Sequence, residues 1–327
     1  MPTVQERRRL GGSASLIGVV AVAAVVTIAA IVALASRREL AAAARAAGHA
    51  RPGWLAVLGL GLAGWWLAWV LVTAGARRAA GAERTPMREL VPVVLASVAI
   101  NSVVSSGGLA GLGVHVAQAR RRHRLIGPIT AGYLVAVAVV DVAFTVTLAA
   151  ALAVILWQGR LSIADIVAGA LFLGVLAVKI GAVLAAVRSP RLVGAVQRRW
   201  PGVRPMADAL ALVARDPRTA LPAMVAAVGI DAAAVLMLWA AVASVGAGSR
   251  PATALTVYAV SGLFGIVSVV PGGLGFVEVG AVAGLVASGL GWAPATAAVA
   301  LFRIVEFWIP LAVGGLAALA LGRRAAR

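Results

Sequence analysis

The sequence Pro271-Gly272-Gly273-Leu274-Gly275 interrupts an apolar run that extends from about 252 to 290. A second interruption, in the apolar run from about 90 to 117, reads Ser105-Ser106-Gly107-Gly108-Leu109-Ala110-Gly111. Glycine and proline end helices, and non-helical backbone at membrane depth is tolerated only where protein or a wet cavity covers it. Both runs are therefore predicted to be broken or re-entrant helices.

The composition of the chain is that of an integral membrane protein. Of its 327 residues, 62% are hydrophobic and 12% are charged, and the mean hydropathy is +1.01. A soluble domain is about half apolar and about a quarter charged, and it could not bury so much apolar surface. The chain has no cysteine, so disulfides, thiol catalysis and iron–sulfur clusters are excluded.

Six uninterrupted apolar runs are long enough to cross a hydrocarbon core of roughly 30 Å. They lie at about 13–35, 54–76, 126–157, 162–187, 220–245 and 294–321. The first is longer than a signal-peptide core, so we expect a retained signal anchor. We predict an all-α polytopic fold with about six full spans and two broken or re-entrant segments, forming one membrane domain over 1–327.

The basic residues predict an orientation. Lys and Arg total 29 against 11 Asp and Glu, which gives a net charge of +18. With both termini inside and each broken segment returning to its own side, 21 basic residues fall inside and 6 outside. This bias predicts a multi-pass cell-membrane protein with cytoplasmic N- and C-termini. Because no nucleic-acid-binding motif accompanies the arginines, we expect acidic lipid headgroups as their partners.

The two halves of the chain correspond at an offset of 165 residues. Gly107-Gly108-Leu109 then falls on Gly272-Gly273-Leu274, and Asp141 falls on Glu306. In the counted topology the matched segments run in opposite directions, so we predict inverted repeats over 1–160 and 161–327, with a substrate site at their interface. The alternative is a chance match, since the chain has 37 glycines.

Ionisable residues within the apolar runs are the candidates for function. A charge near the bilayer centre costs at least about 2.5–3.5 kcal/mol, so such groups face partners or a cavity. Arg303 and Glu306 share a helical face, and Glu278 follows the second break by one turn. The pair could only fix packing, or it could line a headgroup cavity with Arg303 as the anion contact. The embedded residues are Asp141, Lys179, Asp231, Glu278, Arg303 and Glu306.

The motifs of soluble enzymes are missing from the sequence. Gly59, Gly61 and Gly64 match the dinucleotide-binding spacing, but they lie in an apolar helix with no preceding strand, where small residues permit close packing. We find no phosphate-binding lysine loop, no nucleophilic serine motif and no metal-ligand spacing. We therefore expect no cofactor, no metal and no enzymatic activity.

Several motifs resemble one membrane family. Val270–Glu278, Arg303, Phe307–Pro310 and Gly314–Gly315 resemble the integral-membrane domain of lysylphosphatidylglycerol synthase/flippase proteins. Asn101 with the first break, and also Asp141, resemble motifs in the first half of that family's domain, but more loosely. This sequence lacks the acidic residue that follows the glycine in the family's first motif, and it lacks the Glu-Arg pair of the family's Asp-containing helix. The chain ends six residues after its last predicted span, so the resemblance implies lipid translocation by a member without the soluble aminoacyltransferase domain.

The function predicted from these observations is lipid transport between leaflets. The substrate would be an anionic or aminoacylated phospholipid, or another lipid-linked headgroup, held between the inverted halves. The alternatives are a membrane-embedded enzyme or accessory subunit that uses Asp141, Glu278 or Glu306 as acid or base, and a scaffold. A homo-oligomer is left open. The candidate substrate-binding residues are Arg303, Glu306, Glu278, Asp141, Asn101, Gly107, Gly108, Pro271, Gly272 and Gly273.

Overall fold

All the regular secondary structure in the residues that the structure, a computed structural model, describes is helical. These residues are 51–104, 108–158, 169–170, 173–174, 177, 217–248, 250–268 and 270–323. The helices are α1 (Pro52–Ala79), α2 (Met87–Val103), α3 (Leu112–Arg121), α4 (Ile126–Gln158), α5 (Pro217–Ser244), α6 (Pro251–Val267), α7 (Phe276–Ala287), α8 (Trp292–Arg303) and α9 (Ile309–Arg323). A 3₁₀ turn, Pro271–Gly273, precedes α7, and a π turn, Ile304–Trp308, joins α8 to α9.

Four helical segments are long and apolar enough to cross a membrane. They are α1, α4, most of α5 and the continuous segment Trp292–Arg323, with 28, 33, 27 and 32 residues. These segments confirm the predictions at about 54–76, 126–157, 220–245 and 294–321. The predicted span at 13–35, and most of that at 162–187, lie outside the described residues, so the total of six spans stays a prediction.

Helices α1 and α5 pack against each other in antiparallel directions. The amide of Arg51, before α1, lies 3.4 Å from the carbonyl of Ser244 at the end of α5. Near the other end, a Cβ added to Gly75 would lie 3.1 Å from Ala223. Gly61, from the spacing that mimics a dinucleotide motif, faces Met237. Gly61 and Gly75 therefore permit close packing of α1 on α5, whereas a Cβ on Gly59 or Gly64 would meet nothing within 4 Å.

Helices α2 and α3 form a hairpin that returns to the end of the bundle where α1 finishes. Arg124, just after α3, forms an ion pair with Glu89 in the first turn of α2, at 3.1 Å. Arg124 also donates a 2.7 Å hydrogen bond to Thr85, in the loop between α1 and α2. These contacts hold the two open ends of the hairpin together.

Helices α6 and α7 form a second hairpin with its open end at the opposite end of the bundle. A Cβ on Gly284 would lie 3.1 Å from Val257, and one on Gly280 would lie 2.8 Å from Phe264. Along these contacts the residue numbers rise on α6 as they fall on α7, so the two helices are antiparallel. This hairpin begins directly after α5, whose C-terminus lies beside the start of α1.

The tips of the two hairpins meet inside the bundle. A Cβ on Gly272 would lie 3.0 Å from the carbonyl oxygen of Ser102 and would overlap the ring of Phe307. Helix α9 then runs along α2, and Arg121 donates a 2.7 Å hydrogen bond to the carbonyl of Leu321. The fold thus places the second interruption against the C-terminal end of α2, the helix that leads into the first interruption, and the two hairpins enter from opposite ends.

Large apolar side chains cover much of the outer surface. Leu60 is 71% exposed, Leu316 is 68% exposed and Trp157 is 89% exposed. Apolar exposure on this scale marks a surface that contacts something other than water. With the four span-length helices, it identifies a multi-pass membrane protein whose outer face contacts lipid.

Adjacent glycines in α9 give a matched test of the α2–α9 packing. A Cβ on Gly314 would overlap the carbonyl oxygen of Leu95 and the side chain of Ala99, whereas one on Gly315 meets nothing within 4 Å. We expect Gly314→Ala to lower the free energy of unfolding by about 1–3 kcal/mol, because the two helices must separate. Gly315→Ala should leave it unchanged or raise it by up to about 1 kcal/mol. Equal unfolding curves for both variants in detergent would contradict this packing.

Candidate functional site

The second break, Pro271–Gly275, needs glycine at three positions. Gly272, Gly273 and Gly275 have φ angles of 66°, 65° and 85°, in the left-handed region that other residues rarely adopt. Pro271 begins the 3₁₀ turn, and the amide of Gly273 returns to the carbonyl of Val270 at 3.0 Å. The chain therefore reverses between α6 and α7 within a few residues, as the glycine-rich sequence predicted.

Arg303 holds this break to its surroundings. Its Nε donates to Glu278 Oε1 at 2.7 Å, and its Nη1 donates to Glu306 Oε2 at 2.8 Å. Its Nη2 donates to the carbonyl oxygen of Gly272 at 3.0 Å. The residue is 5% exposed, and its guanidinium lies 4.5 Å from the ring centre of Phe307. One side chain thus joins α7, α8, the π turn and the break; we call Arg303, Glu278 and Glu306 the Arg303 cluster.

Glu278 also caps helix α7. Its Oε2 accepts a 2.7 Å hydrogen bond from the amide of Gly275, the residue before the helix. A carboxylate in the first helical turn satisfies an amide that has no partner within the helix, and it interacts favourably with the helix dipole. Glu278 therefore binds the break on one side and Arg303 on the other.

The π turn after Arg303 places Glu306 beside the guanidinium. The amide of Ile309 donates to the carbonyl of Ile304, a five-residue spacing, and Pro310 has no amide hydrogen to continue the α-helical pattern. Single π turns inside α-helices occur frequently at functional sites. Here the turn lies between the cluster and α9.

Neutral side chains form the hydrogen bonds to the first break, which is the interruption between α2 and α3. Asn101 accepts a 2.7 Å hydrogen bond from the amide of Gly111 and donates to Tyr133 Oη at 2.9 Å. Tyr133 in turn donates to the carbonyl oxygen of Gly108. A Cβ on Gly111 would overlap Ser97 and would lie 2.7 Å from Tyr133 Oη, so this position has no room for a side chain. Gly107 lies outside the described residues.

The comparison with known families covers nearly the whole chain. The sequence model described as the lysylphosphatidylglycerol synthase TM region matches residues 15–314. The chain belongs to this family. The match includes both hairpins and the Arg303 cluster, and it confirms the resemblance drawn from the motifs. A search of curated proteins finds no match.

In this lysylphosphatidylglycerol synthase TM-region protein, the Arg303 cluster carries a net negative charge. Two carboxylates surround one guanidinium, and each nitrogen of Arg303 donates to a protein acceptor. The contacts are those of a structural ion-pair network, while the side chains of Glu278 and Glu306 stay 19% and 24% exposed. The partly exposed groups of the cluster are therefore acceptors, which suit a cationic group better than an anion.

Asp141 lies apart from this network. Its side chain is exposed on α4, and the acceptors of Arg303 are Glu278, Glu306 and Gly272. The offset that matched Asp141 with Glu306 therefore does not bring both acids into one ion-pair cluster. Lys179 lies outside the described residues.

A second buried polar group joins three helices. Asp231, in the middle of α5, is 5% exposed. It accepts hydrogen bonds from Thr147 of α4 at 2.8 Å and from Tyr258 of α6 at 2.9 Å. The hydroxyls satisfy both carboxylate oxygens, as a polar group in this position requires. Within the described ranges no three His, Cys, Asp or Glu side chains could hold a metal.

Sequence reasoning missed Tyr133. It is one of two tyrosines in the chain, and it falls within a long apolar run. A buried tyrosine hydroxyl needs a hydrogen-bond partner, and broken backbone supplies carbonyls that need donors. Those two requirements together could have pointed to a contact between α4 and the first break, although not to Gly108 in particular.

The three hydrogen bonds that Arg303 donates give a test of the Arg303 cluster. We expect Arg303→Lys to lower the free energy of unfolding by about 1–3 kcal/mol, because one ammonium cannot donate to three separated acceptors in the same way. Arg88→Lys, at an exposed position in the first turn of α2, is the matched control and should change it by less than about 0.5 kcal/mol. Denaturant titrations in detergent measure both, and equal effects would refute the role of Arg303.

Proposed function

We propose that the protein moves a lipid with a polar headgroup between the two leaflets of the membrane. The observation that carries the proposal is the meeting of two broken hairpins from opposite ends of the bundle, at Gly272 and Ser102, beside a charged cluster. Broken helices that meet at mid-bundle are typical of transporters, whose substrate sites are formed by such segments. Membership of a lipid-handling membrane family supports the same function.

The order of elements supports an inverted repeat. Each half has a long helix, a short helix, a break, a second short helix and another long helix, as α1–α4 and α5–α9. The long helices α1 and α5 are antiparallel, so the hairpins that follow them enter from opposite ends. We propose that both hairpins are re-entrant, that 1–160 and 161–327 are the repeats, and that both termini are cytoplasmic in the cell membrane.

The charge of the Arg303 cluster favours an aminoacylated headgroup over a purely anionic one. Glu306 is the more exposed carboxylate, and its Oε2 already binds Arg303. An ammonium on the headgroup would offset the net negative charge of the cluster, whereas a phosphate placed there would meet two carboxylates. We therefore propose Glu306 as the contact for the amino group, with Arg303 and Glu278 holding it in place.

The alternative of a membrane-embedded enzyme finds less support in this geometry. Acid–base chemistry on a lipid headgroup needs a side chain that is free to reach the proton it moves. Glu278 and Glu306 instead bind opposite nitrogens of one guanidinium, and Asp141 lies elsewhere on α4. We propose transport without catalysis.

Reconstituted vesicles test the proposal. The rate of transfer between leaflets is measured for fluorescent lysylphosphatidylglycerol and, separately, for phosphatidylglycerol. We expect faster transfer with the protein than without it, and a loss of about tenfold for the lysyl lipid in Glu306→Gln, the factor expected for losing one charge-assisted contact.

The matched control is Glu39→Gln, which removes a carboxylate from the predicted loop 36–53. This variant should transfer both lipids as the unmodified protein does. Transfer that is equal in empty and protein-containing vesicles, for both lipids, would refute the function. Equal loss in both variants would refute the role of Glu306.

A further inference from the structure

Arg77, in the last turn of α1, is a buried cation with no carboxylate partner in the part of the chain that the structure describes. The residue is 6% exposed. Its Nη1 donates to Thr85 Oγ1 at 3.2 Å, and its Nη2 donates to His115 Nδ1 at 2.7 Å. Its Nε is buried and has no hydrogen-bond partner. A guanidinium donor that is removed from water and left unpaired is costly, so the site calls for an acceptor.

The neighbours of Arg77 do not neutralise it. Thr85 carries no charge, and His115 is neutral because its Nδ1 accepts the bond from Arg77. Arg124 shares Thr85 with Arg77 and adds a second positive charge nearby. The carboxylate of Glu89 binds Arg124 and Arg122. The positive charge of Arg77 is therefore not offset by an ion pair among the described residues.

Arg77 also lines a cavity. Its volume is ≈ 90 Å³, and its lining includes Arg77, Arg78, Arg84 and Thr85, with Glu83 as the one acid among the described lining residues. Three arginines against one glutamate leave the lining positive. The cavity lies where α1 ends and the α2–α3 hairpin opens, so it faces the end of the bundle rather than its middle.

We propose that this cavity binds a phosphate group that carries at least one negative charge. Arginine suits phosphate because its planar nitrogens donate in a fixed fork. In this proposal the buried, unpaired Nε of Arg77 is the donor that the phosphate would engage, and the exposed Arg78 and Arg84 of the lining would add further positive charge. The phosphate belongs either to a lipid headgroup at the membrane surface or to a free anion, and both sources present the same acceptor oxygens.

The site is separate from the Arg303 cluster in both place and sign. The cluster has a net negative charge next to the hairpin tips, whereas the Arg77 cavity is positive and lies next to the open end of the first hairpin. Binding at Arg77 can therefore be measured without transport. A failure of the leaflet-transfer assay would leave this inference standing.

Thermal unfolding of the full chain in an uncharged detergent tests the site. Inorganic phosphate and the soluble lipid dihexanoylphosphatidylglycerol are titrated separately, and each apparent Kd follows from the rise in melting temperature. We expect Arg77→Gln to weaken binding by about tenfold or more, and Arg77→Lys to weaken it less because the charge is kept.

Two exposed arginines supply the remaining variants. Arg84→Gln, in the cavity lining, should weaken binding by about threefold or more, and its exposure means that folding is not at risk. Arg88→Gln removes the same charge outside the described lining and should change Kd by less than about twofold.

Each outcome decides the inference. Stabilisation by both probes, or by the lipid alone, supports a headgroup as the source; stabilisation by phosphate alone supports a free anion. No stabilisation by either probe overturns the inference. Equal weakening in Arg84→Gln and Arg88→Gln also overturns it, because general surface charge would then explain the binding.

Discussion

The interior of this bundle depends on two hydrogen bonds at the backbone of the second break, one that Arg303 donates to it and one that Glu278 accepts from it. Lipid offers no partner for a free carbonyl or amide, so every interrupted helix inside a membrane protein needs side chains that replace the missing bonds. Arg303 donates a hydrogen bond to the carbonyl of Gly272, and Glu278 accepts one from the amide of Gly275. Without these bonds the hairpin tip could not lie against Ser102 and Phe307.

The two breaks meet the same requirement with different chemistry. Asn101 and Tyr133 satisfy the first break with neutral groups, whereas charged groups satisfy the second. The charge is therefore concentrated on one side of the junction, where under the proposed function it would distinguish between headgroups. A group of positive residues, Arg77, Arg78 and Arg84, lies at the end of the bundle where α1 finishes.

The sequence predicted local features well and distant contacts poorly. Apolar length identified the four described spans, and glycine, with proline at the second break only, identified both breaks, because these properties depend on neighbouring residues alone. The pairing of Arg303 with Glu306, three residues apart, followed from helical spacing. The bonds from Arg303 to Glu278 and to Gly272 join residues 25 and 31 positions apart. Such contacts, the place of Asp141 and the burial of Arg77 depend on how helices pack, which spacing does not specify.

Labelling of single cysteines from each side of a sealed membrane tests most directly whether the two hairpins enter from opposite sides. The chain has no cysteine of its own, so each introduced cysteine is labelled alone. Four exposed positions that flank the two hairpins are suitable for the introduced cysteine: Glu83, Leu125, Gly248 and Ser288. Glu83→Cys and Leu125→Cys flank the first hairpin, and an impermeant maleimide should reach both from one side. Gly248→Cys and Ser288→Cys flank the second hairpin and should both react from the other side. Labelling of Glu83→Cys and Leu125→Cys from opposite sides would mean that α2–α3 crosses the membrane, and the meeting of two re-entrant tips would be contradicted.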